Sequence, residues 1–176
     1  MDGIKKVLDV LVRYNEVTNQ EMIKILEGLE PGKLTEDLGS YYGSILGLLN
    51  HQLLADVAWL RALGTHLPTL DFVPPVVEPF PKDRLPPKEL YVASLEEFKP
   101  IRRDIDALLK RVVETLLEAE LDTTLKIEGR HGVHEFKPWR ILLHLFNHQT
   151  HHRGGVSLLL DQLGIENDYS NMLWKV

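Results

Sequence analysis

The chain contains no cysteine. Disulfide bonds and thiolate metal sites are therefore excluded, and any catalytic thiol would have to come from a substrate or a cosubstrate. Long apolar runs are missing too. No run reaches the ~18 residues of a membrane span, and the N-terminal MDGIKKVLDV lacks the apolar core of a signal peptide. These absences predict a soluble, cytoplasmic protein with no membrane partner.

A concentration of positive charge is also missing. The chain has 20 basic and 26 acidic residues, its net charge is −6, and no block of Lys and Arg stands out. A general nucleic-acid-binding protein carries a basic patch or stripe, so that class of function is not expected. Apolar residues, by contrast, make up 44% of the chain, which is enough for a sizeable core.

Four segments are predicted to be helices. The first, third and fourth have the 3.6-residue periodicity of an amphipathic helix, and the second is apolar on nearly all sides, as a buried helix is. Ser40 is a candidate N-cap for the second segment, and a capping box at 94–97 opens the third. Pro138 suits the first position of the fourth, and Gly164 follows its end. The segments are residues 4–29, 40–64, 94–119 and 138–163. They predict an all-α four-helix bundle, and residues 1–176 are expected to form a single domain.

Two connections and a tail complete the predicted fold. Residues 66–93 hold seven of the ten prolines, which predicts a long crossover loop over the surface, more typical of a passive connector than of a lid. Residues 121–137 alternate around a glycine-containing turn and predict a short β-hairpin before the last helix. The tail is expected to pack back through Tyr169, Leu173 and Trp174.

The segment HLFNHQTHHRGG, residues 144–155, holds four of the eight histidines. At ~100° per residue, His148 and His152 lie about 40° apart in the middle of the apolar face of the fourth helix. His144 and His151 lie on the shoulder of that face. His144 could reach the interior edge, and His151 is expected to face solvent or a neighbouring helix. Two imidazoles one turn apart on an inward face are a common way to hold a divalent metal.

A two-histidine site usually needs a third ligand, and His51 on the second helix is the best candidate. Most residues on its side of that helix are small, which leaves room for a cavity. The residues on that side are Ser44, Gly47, Leu48, Leu54, Ala55, Ala58 and Ala62. Asn15 and Thr18 are polar positions at the centre of the first helix's apolar stripe. Three helices thus place polar groups at mid-height, which favours a metal site formed by His51, His148 and His152.

Several residues have more than one interpretation. A single histidine on an apolar face is more often a core residue than a ligand, so His144 is expected to support the site or to pack. Asn15 and Thr18 could contact the ligands or simply be tolerated in the core. Arg153 is expected at the surface or at an interface, although beside a metal it could hold a substrate carboxylate. No Asp or Glu is expected on the inward stripes. The remaining histidines fall in predicted loop or hairpin and are not expected to be ligands: His66, His131 and His134.

The segment HLFNHQTHHRGG resembles the HxxxHxxxHHRGQ-like signature of the DinB/YfiT-like superfamily. The histidine in LLNHQLLADVAWL and the short tail containing NDY fit the same family, whereas Gly155 stands where the signature has Gln. The resemblance implies a four-helix bundle whose second helix supplies one metal ligand and whose fourth supplies two. These ligands correspond to His51, His148 and His152. The resemblance also implies a homodimer that binds zinc or nickel.

Characterised members of that family transfer or isomerise with low-molecular-weight thiols such as mycothiol or bacillithiol. The resemblance therefore implies a metal-dependent enzyme of the thiol-dependent S-transferase type that acts on a small molecule. Three neutral histidines leave a coordination position open, which is typical of a catalytic metal site. The alternatives are a metal-dependent hydrolase, a non-catalytic metal-binding dimer associated with stress, and a plain helical dimerisation module.

Overall fold

The computed structural model describes residues 2–129 and 132–176, whose regular elements are helices and one short hairpin. In chain order the elements are α1 (Asp2–Glu27), α2 (Pro31–Thr35), α3 (Ile45–His66), α4 (Val73–Val77), α5 (Leu95–Thr115), α6 (Glu118–Leu121), β1 (Leu125–Gly129), β2 (Gly132–Phe136) and α7 (Pro138–Gln162). The four long helices, α1, α3, α5 and α7, are the four that the sequence predicts.

The long helices form a bundle in which α1 and α3 each pack against both α5 and α7. α3 and α7 run antiparallel, because Leu48 lies beside Gly155 at one end and Trp59 lies beside His144 at the other. The core between the helices is mostly leucine, isoleucine and valine. Each fully buried side chain of this kind stabilises the fold by roughly 1.5–3 kcal/mol. The predicted all-α bundle is confirmed.

The start of α3 differs from the prediction. Ser44 caps this helix, accepting a hydrogen bond from the Gly47 N–H at 3.1 Å, whereas Ser40 forms an isolated β-bridge with Gly43. Gly43 has φ +79°, in the left-handed region that a right-handed helix does not contain. The helix can therefore begin only after this glycine. At its other end α3 continues past the predicted stop, so His66 is helical and not in a loop.

Other predicted ends agree with the structure. The Ser94 hydroxyl accepts a hydrogen bond from the Glu97 N–H at 3.2 Å and caps α5. Pro138 is the first residue of α7. Gly164, just beyond the end of that helix, has φ +72°. Local side-chain chemistry is sufficient to place these ends, which is why the sequence pattern finds them.

The proline-rich connection between α3 and α5 is more ordered than a plain loop. It contains a short 3₁₀ turn, Pro68–Leu70, and the helix α4. Pro74 and Pro75 occupy the first turn of α4, where a missing N–H costs nothing. Leu70, Val73 and Val77 are buried and pack into the core.

The predicted hairpin is present before α7. β1 and β2 pair antiparallel, with Leu125 opposite Phe136 and Gly129 opposite Gly132. The predicted turn residues Arg130 and His131 lie outside the described residues. None of the described helices combines the length and the apolar character that crossing a membrane requires.

The tail packs back through one of its three predicted residues. Tyr169 is 8% exposed, and its carbonyl accepts a hydrogen bond from the Tyr14 hydroxyl. Leu173 and Trp174 are 85% and 86% exposed, so the prediction that they pack against the bundle is wrong. The chain beyond Tyr169 forms only a short 3₁₀ turn, Met172–Trp174, which has no buried residue.

Candidate metal centre and its cavity

Three histidines from two helices meet beside the interface of α3 and α7. His51 lies in the second turn of α3, and His148 and His152 lie one turn apart on the face of α7 that meets it. Antiparallel packing brings these positions to the same height. One ring nitrogen of each histidine lies within 4.8 Å of those of the other two, and the described residues add no carboxylate to this group.

Two of the three distances between the ring nitrogens match those around a tetrahedral metal ion, and the third pair lies within 4.8 Å. His148 Nε2 lies 3.3 Å from His51 Nε2 and 3.1 Å from His152 Nε2. Two nitrogens that are each about 2.0–2.1 Å from a tetrahedral zinc ion lie about 3.3 Å apart. In a neutral ring, His148 Nε2 carries either one proton or one lone pair, so it can form one good hydrogen bond but not both. A shared cation would satisfy all three nitrogens, and the residues present therefore fit a divalent metal.

The three imidazoles are neutral at physiological pH. Burial lowers the pKa of His51 and of His148 to about 4, and that of His152 to about 3. Repulsion from the neighbouring imidazoles adds to this lowering in each case. A metal binds the neutral form of histidine, so the rings do not need to lose a proton before they can bind one.

The low pKa of His152 predicts how the stability of the metal-free protein depends on pH. The pKa is about 3 in the folded chain and 6.5 in its ordinary state. As the pH falls below 6.5, the unfolded chain takes up a proton that the folded chain does not, and unfolding becomes easier. We expect the wild type to lose stability relative to His152→Gln, which does not titrate, as the pH falls from about 6.5 to about 3. Urea unfolding of both metal-free proteins across this range measures the difference, and a constant difference would contradict a buried neutral His152.

Tyr42 is a residue of the site that the sequence pattern did not indicate. Its ring stacks on that of His51 with 4.2 Å between centroids and packs edge-on against His152 at 5.7 Å. Gly47 makes this possible, because a Cβ there would lie 2.1 Å from the Tyr42 carbonyl oxygen. Burial raises the pKa of the Tyr42 hydroxyl, which therefore stays protonated at neutral pH. The Tyr-Tyr-Gly string before α3 was the available signal.

A cavity of about 550 Å³ opens beside His51. Its floor is α3, where Gly47, Leu54, Ala55 and Ala58 are four of the residues that the helical wheel places around His51. The prediction of open space beside this histidine is thus confirmed. The opposite wall is the segment 81–89 of the proline-rich connection, so that connection lines the cavity as well as joining two helices. The volume lies within the range of small-molecule sites, about 300–1,000 Å³.

His144 lies beside the three histidines but outside their group. Its ring is 6.0 Å from that of His148 and packs edge-on against Trp59 at 5.4 Å. Its side chain is exposed, as is that of His151, which was expected to face solvent. His144 thus borders the site at the Trp59 end without joining the three nitrogens.

Arg153, Asn15 and Thr18 are buried on the other side of α7. The prediction that Arg153 lies at the surface or at an interface is wrong: it is 2% exposed and donates to Asn15 Oδ1 at 2.6 Å. The Asn15 amide donates in turn to Asp106 at 3.2 Å. Thr18 donates to the Tyr14 carbonyl in its own helix, at 2.5 Å. None of these hydrogen bonds reaches the three imidazoles.

The absence of acidic residues from the inward stripes was also a wrong expectation. Asp56 on α3 and Asp106 on α5 are 1% and 4% exposed, and Arg102 bridges them with contacts of 2.6 Å and 2.9 Å. Gln149 on α7 donates to Asp56. Burial raises the pKa of both carboxyls to about 6, while Arg102 acts in the opposite direction. The spacing of Asp56 from Leu53 and Leu60 on the core stripe was the signal for its burial.

Comparison with known proteins gives matches that cover most of the chain. The model of the DinB family matches residues 4–176, a range that contains all three histidines and the whole bundle. The chain is also similar to Protein DinB of Bacillus subtilis (strain 168), with 27% identity over 156 residues. That alignment covers 88% of this chain and 84% of the Bacillus protein.

Proposed function

This chain belongs to the DinB family, and we propose that it is a metal-dependent enzyme of the thiol-dependent S-transferase type that acts on a small molecule. The observation that carries the proposal is the convergence of three neutral imidazoles beside a cavity of about 550 Å³. His148 Nε2 lies 3.3 Å from His51 Nε2 and 3.1 Å from His152 Nε2. His51, His148 and His152 would hold the ion, which we expect to be zinc or nickel because imidazole suits both.

A divalent ion in such a site supplies Lewis acidity, which favours the deprotonated form of a thiol or a water that it coordinates. The chain itself contains no cysteine, so the thiol would be a cosubstrate of low molecular weight. Leu54 and Trp59 on the cavity floor would hold the apolar part of an electrophile beside it. Tyr42 packs on His51 and His152 and restricts their movement. In the transfer, the thiol proton goes to solvent, a carbon–sulfur bond forms, and the leaving group departs with the electron pair of its broken bond.

A metal-dependent hydrolase is the second candidate. Hydrolysis needs a general base near the attacking water. Asp56 and Asp106 are not available for this role, because both are buried in ion pairs with Arg102. Asp83 and Glu89 line the cavity wall, and they are the observation that favours this candidate.

Two assays on protein purified without an affinity tag distinguish the candidates. Protein loaded with zinc or with nickel is mixed with low-molecular-weight thiols and monobromobimane, which reports S-alkylation. It is mixed separately with nitrophenyl acetate, which reports hydrolysis. We expect thiol-dependent alkylation above the uncatalysed rate in the wild type and a fall of at least about 100-fold in His51→Ala. His66→Ala, on the same helix and exposed, should retain the wild-type rate.

Each other outcome has a definite meaning. Ester hydrolysis without thiol transfer would favour the hydrolase. Metal binding with neither activity would favour a non-catalytic metal-binding protein. If His51→Ala and the wild type bind the same amount of metal, the proposal of a three-histidine site is wrong.

A further inference from the structure

The wall of the cavity that faces α3 carries five charged side chains. Lys82, Arg84 and Lys88 are its cations, and Asp83 and Glu89 are its anions. Lys88 is already paired, since its Nζ lies 2.8 Å from Asp37 Oδ2. Arg84 has no ion pair with any carboxylate of residues 2–129 and 132–176. Its one described hydrogen bond goes to the Tyr42 hydroxyl, 3.5 Å from its Nη2.

One side chain separates Arg84 from the histidine group. Tyr42 connects them: Arg84 contacts its hydroxyl, and its ring stacks on His51 at 4.2 Å. Burial is the main cause of the low pKa of His51 and of His148, and the charge of Arg84 contributes to both. A small molecule that contacts His51 in the cavity therefore lies within reach of this guanidinium, which lines the same cavity.

We propose that Arg84 binds the carboxylate of a small organic molecule whose apolar part lies on Leu54, Ala55 and Trp59. This rests on the proposed function in one respect, namely that the same molecule reaches the histidines. Arg presents paired N–H donors that match a carboxylate. Lys82 and Arg84 are matched in number by Asp83 and Glu89, so the wall suits one negative charge better than the two of a phosphate monoester, because those carboxylates repel the second charge.

The role that the sequence pattern offered to Arg153 thus passes to Arg84. Arg153 is buried and hydrogen-bonded to Asn15, so it cannot receive a substrate. Arg84 lies in the proline-rich connection, far along the chain from every histidine of the site. Only the folded chain brings it to them.

Binding by the metal-free full chain tests the proposal, because a carboxylate then has no ion to coordinate. The probes are hydrocinnamate and its uncharged amide, measured by calorimetry. The wild type should bind the carboxylate about 10-fold more tightly than the amide. Arg84→Gln should bind the two equally, with the affinity for the amide unchanged. Arg84→Lys should retain part of the preference.

Arg13→Gln is the matched control, because Arg13 is exposed on α1 and does not line the cavity. It should behave like the wild type. An equal preference in Arg84→Gln and the wild type would overturn the proposal, as would a failure of the wild type to bind either probe. Tighter, Arg84-dependent binding of phenyl phosphate would overturn the choice of carboxylate.

The outcome is independent of the metal. If zinc does not bind at the three histidines but the preference for the carboxylate depends on Arg84, the proposed function fails and this assignment stands. If zinc binds and Arg84→Gln has no effect on the probes, the assignment fails and the proposed function stands.

Discussion

His148→Ala should abolish stoichiometric binding of zinc. His148 is the central member of the three, with its Nε2 3.3 Å from that of His51 and 3.1 Å from that of His152. Its loss leaves two imidazoles on different helices. Since changes to residues that only support a ligand already cost 10–100-fold in metal affinity, the loss of a ligand should cost at least about 100-fold. Calorimetric titration of chelator-treated protein with zinc measures the affinity.

Thermal unfolding gives a second readout. At a free zinc concentration of about 100 times the Kd, binding should stabilise the wild type by about 2.7 kcal/mol, and the variant should show no such increase. His151→Ala is the control, because His151 lies on the same helix, is exposed and does not belong to the group of three. It should keep the wild-type affinity within a few-fold. If His148→Ala binds zinc as tightly as His151→Ala does, the three imidazoles do not share an ion.

Arg102→Met should destabilise the fold by about 3–5 kcal/mol. Arg102 is fully buried and is the positive partner of Asp56 on α3 and of Asp106 on its own helix. Methionine fills similar space without charge, so the two carboxylates stay buried with their nearest cation removed. Asn19 and Gln149 still donate hydrogen bonds to them but carry no charge.

Chemical denaturation at about pH 8 is the measurement, because both carboxyls are ionised well above their raised pKa of about 6. At about pH 5 the loss should be smaller, since the carboxyls can then be buried in the neutral form. Arg103→Met is the matched control: the neighbouring side chain is exposed, and its loss should change the free energy of unfolding by no more than about 0.5 kcal/mol. Equal effects of the two substitutions would show that the buried ion pairs do not contribute this much to the free energy of unfolding.

The elements with strong local signals were predictable. A capping box places Ser94, and Pro138 places the start of α7, because the groups that satisfy the first turn of a helix lie within a few residues of it. The start of α3 was not predictable in this way, since Ser40 and Ser44 are both good N-caps. The choice between them depends on the left-handed backbone at Gly43 and on the close contact of Tyr42 with Gly47.

Buried charge is the feature that sequence patterns represent least well. An Asp on a core stripe is costly unless a cation reaches it, and the cation for Asp56 comes from α5, 46 residues away along the chain. Arg153 was likewise expected at the surface, but in the fold it is buried and donates hydrogen bonds to Asn15 and Asn19 from α1. The tail shows the opposite error, because Trp174 is apolar and was expected to pack, yet its side chain is exposed.

The sequence by itself determined that α7 presents His148 and His152 one turn apart on a single face, because helical periodicity is a local property of the backbone. It also determined that His51 has small neighbours and therefore space beside it. Only the tertiary structure decided that His51 meets the other two, and that Tyr42 and Arg84 border the same cavity. These contacts depend on how the helices pack and on the path of the connection after α3. Both are determined by the packing of the whole core.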